Sequence, residues 1–325
     1  MCIRDRGIVI VNMVGIIARV VVISIIVRAI RLTTAIVEAI NTVVIRATII
    51  TKNKSMAQVI QIQSFKGGVG KTTTAVNLAH AFARKEKRVL LIDLDHQGNA
   101  TSGLGYAIEE TTPVLYHVLV GDLKWEDATA TVRENLDLLP SNRMTALAEG
   151  AMYPMLSRES ILKRKLETAD DEYDLIVMDC PASLGILHVN ALCFATHIVV
   201  PVQIGIWSVD GLEQIFRSME DVGAATGRMP EVLGALLTMV DERYKLTEEV
   251  RELVGASFDG RLLPHIRTDA DLMNAPKNRE TIFEYNPSSK GAEDYALLAA
   301  HLLKKLRSQA GSKEKKGSAK IKKTK

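Results

Sequence analysis

The feature that most constrains this chain is a short apolar run followed at once by glycines, a lysine and three threonines. Val59-Ile60-Gln61-Ile62-Gln63 is a strand candidate, and Ser64-Phe65-Lys66-Gly67-Gly68-Val69-Gly70-Lys71-Thr72-Thr73-Thr74 follows it directly. Ala75 to Arg84 then has helical spacing. Strand, glycine-rich loop and helix in that order form a phosphate cradle. Glycines let backbone N–H groups close around an anion, and the helix N-terminus adds its partial positive charge. In such a loop Lys71 reaches the β- and γ-phosphates of a nucleotide, and the Thr72 hydroxyl can ligate Mg²⁺. The general pattern G-x-x-x-x-G-K-[ST] asks for glycine at position 65, where this chain has Phe65, and an additional lysine, Lys66, heads the loop.

Two more strands end in carboxylates. Val89-Leu-Leu-Ile-Asp93 runs into Leu94-Asp95-His96-Gln97-Gly98, and Leu175-Ile-Val-Met-Asp179 runs into Cys180-Pro-Ala-Ser-Leu-Gly185. A buried apolar strand that ends this way puts its acid at the carboxyl edge of a parallel sheet, where ligands bind in doubly wound folds. Asp179 fits a Walker B position near Mg²⁺. His197–Gln203 and Val232–Val240 read as further strands, and a last helix is expected over about Ala292–Leu306. Apolar runs alternating with helical stretches predict an α/β fold: a doubly wound, mostly parallel sheet of about seven or eight strands flanked by helices.

Composition removes other classes. Of 325 residues, 47% are apolar and 24% charged, which suits a globular protein, and 5% aromatic is too few for a base-stacking platform. Cys2, Cys180 and Cys193 show no paired spacing, which argues against a disulfide scaffold or zinc module and for a reducing compartment. Cys180 and Cys193 read as small core residues and not as ligands of an iron–sulfur cluster. The net charge of +3 conceals an asymmetry. Residues 1–55 carry +6 and residues 308–325 carry +6, so residues 56–307 carry −9.

The chain divides accordingly. Residues 1–55 are rich in Ile, Val and Arg and carry three readings. One is a membrane span over Gly7–Val27 interrupted by Arg19, and one is a transit segment. The third is a non-native or mis-called extension opening on MCIRDR, with the working protein beginning at Met56. Residues 56–307 are the expected nucleotide-binding domain. Residues 308–325, Lys-rich with one Ile, are expected to form a disordered tail without an amphipathic face for a membrane.

KGGVGKTTT resembles the deviant Walker A motif of the ParA/Soj/MinD ATPases, a branch of the P-loop NTPases, and resemblance to partitioning ParA members extends over roughly Ala57–Leu306. It implies ATP and Mg²⁺ as cofactors, with Lys66, Gly67, Gly68, Val69, Gly70, Lys71, Thr72 and Thr73 around the nucleotide. Lys66 would reach the partner subunit's phosphates in an ATP-dependent homodimer. The segment Asp93–Thr101 resembles D-x-D-P-Q-G-N-A-T. By that match Asp95 orients the attacking water and Asp93 supports the Mg²⁺ shell with Thr72 and Asp179, while His96 replaces the usual proline. Ala182 departs from D-C-P-P-S-L-G at one position. Thr238–Arg243 resembles T-M-x-D-x-R, whose arginine contributes to non-specific DNA binding. A surface ion pair with Asp241 or Glu242 is the alternative reading of Arg243. Arg267 is a second, register-ambiguous DNA candidate, because Pro264–Pro276 is about four residues longer than the family's loop. The resemblance further implies double-stranded DNA and a ParB-like adaptor as partners, no membrane for the folded domain, and a cytoplasmic, nucleoid-associated protein. The alternatives are an orphan relative positioning a protein cargo and a MinD-like membrane-cycling division regulator.

Overall fold

The computed structural model describes residues 56–203, 210–241, 243 and 246–321. The readings of residues 1–55 lie outside that range. Seven strands form one sheet: β1 (Gln58–Ile62), β2 (Val89–Asp93), β3 (Ala130–Arg133), β4 (Leu136–Leu139), β5 (Leu175–Asp179), β6 (His197–Gln203) and β7 (Glu231–Thr238). Their order is β3-β4-β2-β5-β1-β6-β7. All neighbours are parallel except β3, which pairs antiparallel with β4.

Because both faces of the sheet are covered, β2 carries a continuous apolar run up to Asp93 and β5 one up to Asp179, while β1 is interrupted by Gln61. Side chains alternate between the two faces. Ile60, Ile62, Val89, Leu91, Leu175 and Val177 pack on one side, against α1 (Lys71–Ala83) and the last helix, α7 (Lys290–Ile321). Val59, Leu90, Ile92, Ile176 and Met178 pack on the other, against α2 (Leu115–Val120), α3 (Thr145–Met152), Ile161, Leu162 and α4 (Ile186–Phe194). A third cluster joins β6 and β7 to α5 (Asp210–Thr226) and α6 (Leu246–Ser257) through Ile215, Met219, Val250 and Val254. Leu91 is fully buried at the sheet centre, so Leu91→Ala would cost about 2–5 kcal/mol.

The strand count agrees with the expectation. α7 is longer than the helix expected over about Ala292–Leu306, beginning at Lys290 and continuing to Ile321. The physical reason is local: after Leu306 the chain has no proline, and its lysines, with Gln309, Ala310, Glu314 and Ala319, favour helix without needing a core. Among the described residues no helix is long and apolar enough to cross a membrane.

Candidate functional site

The parallel strands deliver the predicted residues to one edge. β1 ends at Ile62, paired in register with Asp179 at the end of β5, and Asp93 at the end of β2 is the partner of Asp179 on its other side. The loop 64–70 leaves β1 between them and enters α1 at Lys71. Gly68 (φ 77°) and Gly70 (φ 84°) hold left-handed backbone, which side chains disfavour. The Thr238 hydroxyl at the end of β7 donates to the Val69 carbonyl at 2.9 Å, tying the loop to the sheet. Phe65, where the general motif has glycine, stacks edge-on against His188 of α4 with ring centroids 5.0 Å apart.

Behind the loop, α1 is fixed from the far end of the chain. The Thr74 hydroxyl lies 3.2 Å from the Tyr295 hydroxyl of α7, and the Asn77 side-chain oxygen accepts from the Ile282 N–H at 2.8 Å. Lys71 is buried, and its ammonium donates to the Lys66 carbonyl at 3.1 Å. Burial draws its pKa below the usual lysine range, while the Asp179 and Asp95 carboxylates act in the opposite direction. Lys66 is half-buried at the head of the loop, and Thr72 and Thr73 are half-buried at the start of α1.

The two strand-end carboxylates behave differently. Asp93 is fully buried, and both its oxygens are engaged: one accepts from the Asp95 N–H (3.1 Å), the other from the Thr101 N–H (2.9 Å) and hydroxyl (2.7 Å). Burial nevertheless raises its pKa to about 6. Asp179 is equally buried, yet neither oxygen has a hydrogen-bond partner of ordinary geometry. Burial, then the Asp93 carboxylate, hold it well above the ordinary range, against the pull of the Thr72 hydroxyl and Lys71. A buried carboxylate with two free oxygens beside a hydroxyl suits an oxygen-ligated divalent ion. Thr72 and Asp179 therefore fit the expected metal role. Asp93 does so less directly, because its hydrogen bonds shape the loop that carries Asp95.

That loop is tightly specified. Ser141 donates through its hydroxyl to the Asp95 carbonyl (2.8 Å) and through its N–H to the Thr101 hydroxyl (3.0 Å). Gly98 is left-handed (φ 64°). The Asp95 carboxylate accepts from the Gln97 N–H at 3.0 Å, lies 3.5 Å from the His96 ring, and keeps 18% of its side chain accessible at the rim. Sequence reasoning did not find Ser141 or His188 as supports, since each acts through the fold and neither carries a motif signal of its own. Thr101 and Thr238 stood inside quoted motifs, but nothing there pointed to these supporting contacts.

The two DNA candidates are both engaged by carboxylates. Arg243 is 83% exposed and ion-paired with Asp241 at 2.5 Å, as its alternative reading expected. Arg267, the second candidate, is paired as well. Its guanidinium bonds both oxygens of the buried Asp294 and reaches Glu293 at 2.6 Å, bracing the segment before α7 instead of presenting a free cation. Among the described residues no group of three or more His, Cys, Asp or Glu could hold a metal by itself.

A family model described as "AAA domain" matches residues 57–229. The sporulation initiation inhibitor protein Soj of Bacillus subtilis is 42% identical over 246 residues, covering 75% of this chain and 97% of that protein. The chromosome-partitioning ATPase Soj of Thermus thermophilus is 38% identical over 245 residues, covering 75% and 94%. Among solved structures, cobyrinic acid a,c-diamide synthase from Mycobacterium smegmatis, with bound ATP analogue and magnesium, is similar at 33% identity and a TM-score of 0.69, covering 78% of this chain and 97% of that one. With identities of this size over nearly the whole of both Soj relatives, the chain belongs to the ParA/Soj family of partitioning ATPases.

Proposed function

We propose that the protein is an ATP-dependent DNA-partitioning ATPase, cytoplasmic and nucleoid-associated. Its ATP-bound homodimer binds double-stranded DNA without sequence preference, and a ParB-like adaptor stimulates hydrolysis and release. The observation that carries the nucleotide part is Asp179, a buried carboxylate with two unpartnered oxygens beside Thr72 and Lys71, at the mouth of a left-handed glycine loop. That the Mycobacterium smegmatis synthase holds an ATP analogue with magnesium supports the same ligands here.

In this reading the N–H groups of Gly67–Thr73 and the Lys71 ammonium hold the phosphates, and Thr72 and Asp179 hold Mg²⁺, with Asp93 supporting the loop beside it. Bound Mg²⁺ neutralises phosphate charge and orients the β- and γ-phosphates. Asp95, fixed at the rim by Ser141 and by the Asp93 network, orients the attacking water. Lys66 extends to the phosphates of the second subunit. Arg243 contacts DNA phosphate: its pair with Asp241 is exposed and weak enough for exchange.

Asp95→Ala is expected to keep ATP binding and dimerisation while turnover falls at least about 100-fold, because orientation is lost and the phosphate cradle stays. Lys71→Gln is expected to weaken nucleotide binding itself, and Lys66→Gln to abolish the ATP-dependent dimer peak in size-exclusion chromatography while monomer folding is retained. Wild-type turnover in Asp95→Ala would overturn the assignment of Asp95.

A further inference from the structure

Both arginines expected to meet DNA are held by carboxylates, Arg243 by Asp241 and Arg267 by Asp294 and Glu293. A different set of cations is not. Lys85, in the turn after α1, and Lys304 and Arg307, three residues apart on α7, line one cleft of about 320 Å³ with Ala300 and Leu303. All three side chains are exposed, and no carboxylate lines the cleft. Among the described residues none of the three side chains has an ion-pair or hydrogen-bond partner. The pKa of His301 on the same helix is lowered by burial first, then by Lys305 and by Lys304 of the cleft.

We infer that the Lys85–Lys304–Arg307 cleft is a second docking surface for the sugar–phosphate backbone of double-stranded DNA, working beside Arg243; the inference rests on the partitioning reading above. The body of the chain carries −9, so a polyanion can be held only where cations are concentrated and uncompensated. The walls between the cations are Ala300 and the half-buried Leu303. No amide side chain lines the cleft to read base edges, and no aromatic lines it to stack an unpaired base, so contact is with phosphates and carries no sequence information. An anionic membrane is the poorer partner, since the cleft offers no exposed large apolar residue to insert. The chain beyond Arg307 continues the charge with Lys313, Lys315, Lys316 and Lys320.

The test uses the full chain with a non-hydrolysable ATP analogue and a labelled duplex of arbitrary sequence, titrated by fluorescence anisotropy at several salt concentrations. The triple variant Lys85→Glu/Lys304→Glu/Arg307→Glu is expected to lose about tenfold or more in affinity. The slope of log affinity against log salt is expected to shrink by about 2–3, one phosphate contact per lost cation. Basal ATPase activity and nucleotide affinity are expected to be unchanged, as these residues lie outside the nucleotide site. If the triple variant does not fold, single Lys304→Gln and Arg307→Gln changes are each expected to reduce the slope by about 1. Unaltered affinity and slope in the variants, with the wild type binding DNA normally, would overturn the cleft alone. Failure of the wild type to bind duplex DNA with the ATP analogue would overturn the partitioning reading and the cleft with it. Loss of binding to phosphatidylserine vesicles with DNA binding intact would overturn the cleft as a DNA surface.

Discussion

Asp93 and Asp179 are adjacent, fully buried acids that the fold accommodates unequally. Asp93 is solvated by three hydrogen bonds from its own loop, and Asp179 by none of ordinary geometry. Asp179→Asn is therefore expected to raise the melting temperature of the nucleotide-free protein, and to abolish the further rise that ATP with Mg²⁺ gives the wild type. Function here opposes stability. The same residues set an acid response. Both carboxyls titrate above 3.8, so the folded state binds more protons than the unfolded one as pH falls through about 6, and acidification relieves strain. His188 works the other way. Burial lowers it to about 4, so below 6.5 the unfolded chain takes a proton that the folded one refuses. Without nucleotide or Mg²⁺, thermal melts between pH 7 and 5 should show His188→Leu gaining stability relative to wild type as pH falls. Asp179→Asn should show the reverse.

At the scale of elements, the loop from Asp93 to Thr101 shows what the sequence disclosed and what it withheld. The apolar runs of β2 and β5 and their terminal carboxylates were legible, since a parallel strand covered on both faces needs such a run and its end has nowhere else to go. The glycine loop was legible because phosphate binding constrains local backbone. Contacts between distant positions were not: Thr238 to Val69, Ser141 to Thr101, Arg267 to Asp294. Each joins ordinary polar residues that only the completed fold brings together. The extent of α7 was missed for the opposite reason, because a charged stretch lacking a core-facing stripe was read as uncommitted. Gly98 gives the loop its own test. A Cβ there would sit 2.8 Å from the Ser141 carbonyl oxygen on left-handed backbone, so both must move. Gly98→Ala should displace Asp95 and lower turnover about tenfold or more, with nucleotide affinity, measured by fluorescence of a labelled ATP analogue, nearly unchanged.

Across the whole molecule, the nucleotide edge and the basic cleft are separate features, and the cations that matter stand out only against an acidic body. Separation of this kind lets DNA contacts be altered without touching the chemistry, as the expected behaviour of the triple variant requires. The order of the strands has another consequence, which concerns the ribosome. β1, the strand that launches the phosphate loop, lies between β5 and β6; its Val59 N–H donates to Thr196, 137 positions later, and Thr74 waits for Tyr295, 221 positions later. At about 5–20 residues per second, synthesis leaves the loop without its neighbours for roughly 10–45 s. A stalled nascent chain exposing residues up to about 240 should fail to retain a fluorescent ATP analogue, and one exposing the whole chain through a linker should retain it. Newly made copies would then stay inert toward nucleotide, and so toward DNA, until the chain through Tyr295 has been made.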